Sequence, residues 1–245
     1  MKPMQKGRFL CRAAETPAEI RATQQLRQIC FRRARGGYEQ DSFDRYCRHI
    51  LIEEEGGGPP VGCFRLLLLR DVTELDRSYS AQFYDLSALA SLEGGFLELG
   101  RFCIRPGCLD PDILRLAWAA LTREVDHSGA GMLLGCTSFS GLDPDRYRDA
   151  FAYLATRHLA PANMAPGRLL HAIYPFAEAL AGYSPDPKAA LRQMPSILRS
   201  YLSMGGWVSD HAVIDPALDT MHVFTGVEIS AIPGARARLL RAIAA

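Results

Sequence analysis

Six arginine and acidic positions in this chain have side chains and spacings suited to chemistry. Glu98 and Arg101 lie in the apolar run GFLELGRFCI. A carboxylate on an apolar strand is expected to have a raised pKa, which makes Glu98 a candidate general base, acting directly or through water. The same pair could instead form a structural ion pair. An i, i+3 step puts two side chains on opposite faces of a regular strand, so they meet only if a bulge intervenes, and Gly100 would permit one. Asp41 and Asp44 lie in the polar loop YEQDSFDRY, Arg27 precedes that loop and Arg65 follows it. Arg27, Arg65 and Arg101 could clamp a substrate carboxylate bidentately or hold Asp41 and Asp44 in a buried network.

Other reactive groups form no such set. Cys136 invites a nucleophile reading, but no His or Asp pairs with it in the sequence, which favours a buried thiol. The seven cysteines include no C-x-x-C pair, and the six histidines show no metal-ligand spacing. Reduced thiols and a metal-free chain are the expectation.

The elements that must position these residues read as a mixed α/β chain. Thr16 to Ala34 is expected to be a helix, capped by Thr16 with Glu19 and carrying Pro17 at its first position. Ile20, Gln24, Arg27 and Phe31 share one of its faces. His49 to Glu54 and Val61 to Arg70 flank GGGPP and read as a β-hairpin. Asp71 to Leu92 reads as loop plus a short helix. Gly95 to Ile104 is a buried strand, Pro111 to Val125 a helix capped by Asp110, and MLLGCTSF a further strand. A helix opens at Asp143-Pro144. Leu169 to Tyr174 is strand-like, Pro185 to Met204 helical with a break near Met194-Pro195, Thr220 to Thr225 a strand, and a basic helix starts at Pro233. This order suits an α+β sandwich built on a largely antiparallel sheet flanked by helices.

With 245 residues, 48% hydrophobic and 22% charged, the chain can bury a sizeable core. Its net charge of +1 argues against a protein held on nucleic acid by bulk electrostatics. Basic residues outnumber acidic ones by roughly two to one between Met1 and Arg48, with Arg32, Arg33 and Arg35 at the centre. That region reads as a solvated face, or as a docking surface for an acidic partner or an anionic lipid headgroup. No run approaches the ~20 apolar residues of a spanning helix and no secretory h-region follows the start. A cytoplasmic protein with at most peripheral membrane contact is expected.

In order along the chain, these motifs resemble those of two related groups of bacterial acyltransferases with GNAT-like folds. One comprises the acyl-homoserine-lactone autoinducer synthases. The other, closer, comprises the ornithine N-acyltransferases that begin ornithine-lipid synthesis from 3-hydroxyacyl-carrier protein. The residues that carry the likeness are Arg27 with Phe31, Asp41 with Asp44, Arg65 within VGCFRLL, and Glu98 with Arg101 in ELGR. GCTSFSGLDP, with Cys136, Ser138, Phe139, Asp143 and Pro144, and MPSILRSYLSMGGWVSDHAVIDP favour the ornithine branch. A typical acetyl-CoA-dependent member carries a glycine-rich loop whose N–H groups hold a pyrophosphate at a helix start. Here that place reads IRPGCLDPDILR, where Asp110 and Asp112 would repel a pyrophosphate.

The resemblance implies a single GNAT-like acyltransferase over 1–245, with a core half at 16–160 and a C-terminal extension at 161–245. It implies aminolysis of a thioester, with acyl carrier protein as partner, its acyl-4'-phosphopantetheine as donor, ornithine as acceptor and no bound cofactor. Glu98 would take the amine proton. Asp41 and Asp44 would meet the side-chain ammonium of ornithine, and Ser138 would protonate the leaving thiolate. Phe31 and Phe139 count among the substrate-binding positions, and Phe96, Leu97, Phe102, Leu133 and Leu134 would join Phe139 in lining an apolar slot or fill an ordinary core. The acylated product is a lipid precursor, consistent with release at the inner membrane face. The rival readings are an autoinducer synthase that lactonises its product and a non-catalytic binding module of the same fold.

Overall fold

The computed structural model describes residues 1–32, 36–169 and 171–244. In chain order its strands are β1 (Met4–Lys6), β2 (Phe9–Ala13), β3 (Arg48–Glu54), β4 (Gly62–Leu69), β5 (Tyr84–Asp85), β6 (Gly95–Ile104), β7 (Ala130–Ser140), β8 (Gly167–Arg168), β9 (Ile173–Tyr174), β10 (Trp207–Val208), β11 (Ala212–Asp215) and β12 (Thr220–Glu228). The α-helices are α1 (Pro17–Phe31), α2 (Pro111–Ser128), α3 (Arg148–Arg157), α4 (Phe176–Ala179), α5 (Pro187–Gln193), α6 (Ser196–Ser203) and α7 (Gly234–Ala244). The chain forms two compact units, one of residues 1–68, 97–130 and 234–245, the other of 69–96 and 131–233.

In the first unit the strands run in the order β1, β2, β3, β4, β6, and β1–β2, β2–β3 and β3–β4 are antiparallel. Helix α1 starts as its sequence dictates. The Thr16 hydroxyl accepts from the N–H of Glu19 at 3.2 Å, and the Glu19 carboxylate accepts from the N–H of Thr16 at 2.9 Å. That carboxylate also takes Arg12 of β2 at 2.6 Å, which fixes the helix start against the sheet. The face expected to be inward is inward: Gln24 and Arg27 are buried, and Ile20 and Phe31 half-buried. Helix α2 buries Ile113, Leu116, Ala117, Trp118, Ala120 and Leu121, and ends on Gly129 in the left-handed conformation (φ +65°). Helix α7 is tied to it by Arg241, which donates twice to Asp126, and by Arg123, which donates to the carbonyl of Ala244.

In the second unit β7, β12, β11 and β9 are neighbours in that order, β10 also pairs with β12, and all these pairings are antiparallel. Its core gathers Phe139, Phe151, Phe176, Leu198, Met221 and Val223, with Phe151 stacked on Phe176 at 5.2 Å.

Most expected elements are present, several with shifted ends. The strand expected over Leu169 to Tyr174 is not one strand. Arg168 closes β8, which pairs with β5, and β9 begins at Ile173 and pairs with β11; Leu170 lies outside the described residues. Asp71 to Leu92 is three 3-10 helices and the short β5. The β1–β2 hairpin was not expected from the sequence, because its strands are short and Gly7 (φ +55°) is its only turn signal. Arg33 and Arg35 of the expected basic centre lie outside the described residues. No helix among the described residues is long and apolar enough to cross a membrane.

Candidate active site

The loop between α1 and β3 is shaped by its own acidic side chains. The Asp41 carboxylate accepts from the N–H of Phe43 at 2.9 Å, and its carbonyl from the N–H of Asp44 at 3.3 Å. The Glu39 N–H donates to the carbonyl of Gln24 at 3.2 Å, which sews the loop to α1. Glu39, Asp41 and Asp44 are thereby presented to three arginines that come from three different elements.

Arg27 of α1 donates through Nε to Glu39 at 2.5 Å and through Nη1 to Asp44 at 2.7 Å. Arg65 of β4 grips Asp41 with both terminal nitrogens, at 2.6 and 2.8 Å, and reaches Asp44 at 2.6 Å. Arg101 of β6 donates from Nε to Glu39 at 3.1 Å and from Nη2 to Asp41 at 2.9 Å. Gln24 adds a 3.0 Å bond to Asp44. Three guanidiniums thus face three carboxylates, a charge-balanced cluster. Its deep end is closed, with the Arg27 and Glu39 side chains 1% and 2% exposed; its open end is Asp41, at 22%.

The protonation states follow from this packing. Burial raises the Asp44 carboxyl, but the bonds from Arg27 and Arg65 outweigh it and bring it down to about 2. Asp41 is lowered in the same way: burial opposes, and Arg65 and Arg101 win. His49 is lowered by burial, and its Nε2 lies 2.9 Å from the carbonyl of Asp44. A carbonyl only accepts, so His49 is the neutral tautomer that carries its proton on Nε2.

Glu98 is buried on β6 at 3% exposure. The Cys47 thiol places it relative to the cluster. Burial pushes that thiol up to about 12; Arg65 opposes the shift, while Glu98, Asp44 and Asp41 reinforce it. Glu98 therefore shares the electrostatic neighbourhood of the cluster. Arg101 has φ +52°, left-handed backbone within a strand, so the interruption of β6 is real but sits on Arg101 rather than on Gly100. Phe31, the last residue of α1, has its ring centroid 6.0 Å from the Arg101 guanidinium carbon.

Of the expected site residues, Arg27, Phe31, Asp41, Asp44, Arg65, Glu98 and Arg101 all belong to the first unit. Ser138 and Phe139 belong to the second. Ser138 is half-buried on β7, in register with His222 of β12. Phe139 is 1% exposed and packs against Tyr147 and Phe151 at 5.0 and 4.8 Å, a core position. Of the other slot candidates, Phe96, Leu97, Leu133 and Leu134 are buried and Phe102 is half-buried, tilted against Phe64. Cys136 has its sulfur 3.5 Å from the Ser80 hydroxyl.

Sequence reasoning missed Glu39. The signal was the spacing Glu-x-Asp-x-x-Asp in YEQDSFD, and the arithmetic of three arginines against only two chosen carboxylates.

At the start of α2 the Asp110 carboxylate accepts from the N–H of Asp112 at 3.0 Å, and Asp112 pairs with Arg115 at 2.9 Å. The helix N-terminus is thus occupied by the protein's own carboxylates.

A helix-flanked, mainly antiparallel sheet with this arrangement defines a GNAT-type transferase, and residues 25–119 match the acetyltransferase (GNAT) domain. The chain is 30% identical over 236 residues to the L-ornithine N(alpha)-acyltransferase of Rhodobacter capsulatus, spanning 90% of each chain. It is 29% identical over 241 residues to the enzyme of that name from Rhizobium meliloti, spanning 91% of this chain and 81% of that one. The chain belongs to the L-ornithine N(alpha)-acyltransferase family. In fold it is like the crystal structure of TofI in an apo form, with a TM-score of 0.50 at 19% identity, over 98% of this chain and 99% of that one.

Proposed function

We propose that this protein transfers a 3-hydroxyacyl group from the phosphopantetheine thioester of acyl carrier protein to the α-amine of ornithine. Family membership over 90% of the chain is the observation that carries this reading. The cluster around Asp41 supports how ornithine is held. Arg27 is sealed at the closed end and already faces two carboxylates, so its part is structural. Asp41, at the open end, is the group a zwitterionic amino acid can reach, and it would meet the side-chain ammonium. Arg65 grips Asp41 with both terminal nitrogens and is itself held by Asp44.

The α-ammonium gives a proton to Glu98, directly or through water, and the freed amine attacks the thioester carbonyl. Backbone N–H groups of β6, turned by the left-handed Arg101, stabilise the oxyanion. As the intermediate collapses, the C–N bond remains, the C–S bond breaks, and the nitrogen's second proton passes through solvent water to the leaving thiolate, while Glu98 returns its proton to solvent. The carboxylate-capped start of α2 supports a carrier-protein donor, because it offers no free anion site for the pyrophosphate of CoA. Release of the acylated product at the inner membrane face fits the amphiphilic chemistry of that product.

The test is turnover of Glu98→Gln with 3-hydroxyacyl-carrier protein and ornithine. We expect a loss of about 100- to 10,000-fold in kcat, with carrier-protein binding retained. Turnover equal to the parent removes Glu98 as the base.

A further inference from the structure

We propose that Glu39 is a positioning residue for acyl transfer: clamped to α1, it holds the Arg101 guanidinium and with it the left-handed turn of β6 that follows Glu98. The inference rests on the reading of β6 as the place of transfer. Arg101 adopts φ +52° in a strand, where a residue with a Cβ crowds the following carbonyl oxygen. Such a conformation persists only where the surroundings over-determine it.

The side chain of Arg101 is held at two points, by Glu39 on Nε and by Asp41 on Nη2. The two holds differ. Asp41 is the open member of the cluster and is already engaged by both terminal nitrogens of Arg65. Glu39 is the fixed jaw, because its backbone is bonded to Gln24, its second oxygen takes Arg27, and its side chain is 2% exposed. The preceding residue completes the grip. A Cβ on Gly100 would lie 3.3 Å from Nε and 3.4 Å from Cγ of Arg65, so the bare glycine lets Arg65 lie close across β6. Helix α1, through Arg27 and Glu39, thereby sets the backbone direction of β6 past Glu98, although Glu39 itself touches no reacting atom. A left-handed residue turns neighbouring N–H groups out of the ladder, and those are the groups the oxyanion needs.

The experiment measures kcat, KM for ornithine and the thermal midpoint in the full chain for Glu39→Gln, Glu39→Asp, Arg101→Gly and the double variant Glu39→Gln/Arg101→Gly. Glu39→Gln is expected to lower kcat about 10- to 100-fold, with KM for ornithine within about threefold of the parent. In the Arg101→Gly background the same change is expected to alter kcat by less than about twofold, because the side chain that Glu39 grips is gone. Glu39→Asp keeps the charge but falls one methylene short; it is expected to keep the fold and lose kcat, and it decides the matter alone if Glu39→Gln does not fold. Parental kcat in Glu39→Asp, or an equal loss from Glu39→Gln with and without Arg101, overturns the proposal. Glu98→Gln separates the two levels. If it is inactive while the Glu39 variants are normal, only the role of Glu39 fails; if it is fully active, the reading of the site fails with it.

Discussion

Replacing Arg27 with Met tests the cluster at its closed end. The Arg27 side chain is 1% exposed and bonds to Glu39 and Asp44 at 2.5 and 2.7 Å. Methionine matches much of the aliphatic stem but leaves two guanidiniums against three carboxylates, an uncompensated negative charge in a buried place. Breaking one side of such a group costs about 3–5 kcal/mol. For a chain of 245 residues, unfolding entropy gives roughly 2 °C per kcal/mol, so the thermal midpoint should fall by about 6–10 °C at neutral pH. The deficit should shrink in acid, because Asp44 loses a partner that holds its carboxyl down and can then take up a proton. Arg8→Ala is the control: its ion pair with Glu54 joins side chains 61% and 46% exposed, and its removal should move the midpoint by about 1–2 °C at most. Scanning calorimetry from pH 4 to 8 reads both variants. Equal small shifts for Arg27→Met and Arg8→Ala would show the cluster to be worth no more than a surface ion pair.

Three further outcomes follow from the same structure. The Asp44 carboxyl sits at about 2 against an ordinary 3.8, so its stabilisation is complete above about pH 4 and is lost as pH falls towards 2; denaturant titrations should show an acid slope there that Asp44→Asn flattens, and an unchanged slope would remove Asp44 as its source. Gly226→Ala would drive a Cβ into the Met132 methyl and to 2.9 Å from the Trp207 ring, and should destabilise by about 1–3 kcal/mol in equilibrium unfolding; a neutral change would mean that Trp207 can yield. Thr16→Ala deletes the side-chain half of the capping box and should cost about 1 kcal/mol in the same assay, whereas no loss would place the helix start under the control of Arg12 and Glu19 alone.

Much of the first unit was legible because its signals are local. Thr16, Pro17 and Glu19 specify the start of α1, and the run of Gly95 to Ile104 is the strand β6 without a shift at either end. Spacing along α1 also put Gln24 and Arg27 on the buried face. What could not be read was which alternative each arginine takes, since a bidentate clamp and a buried network need the same side chains. Only the fold brings Arg65 and Arg101 to one loop, and only then does Glu39 appear as the carboxylate that balances them. The bulge was expected from Gly100, yet the left-handed residue is Arg101, because ion pairs supply what glycine would have supplied by lacking a Cβ. Short strands such as β8, β9 and β10 are set by long-range pairing and leave little period in two residues.

Mass spectrometry of the product addresses the proposed reaction most directly. Purified protein is incubated with 3-hydroxyacyl-carrier protein and an equimolar mixture of ornithine, lysine, glutamine and glycine, and in parallel with the matching acyl-CoA. The expected product is ornithine bearing a single acyl group on its α-nitrogen, formed from the carrier-protein donor. Acylation of another amino acid in preference to ornithine, or equal turnover with acyl-CoA, would contradict it.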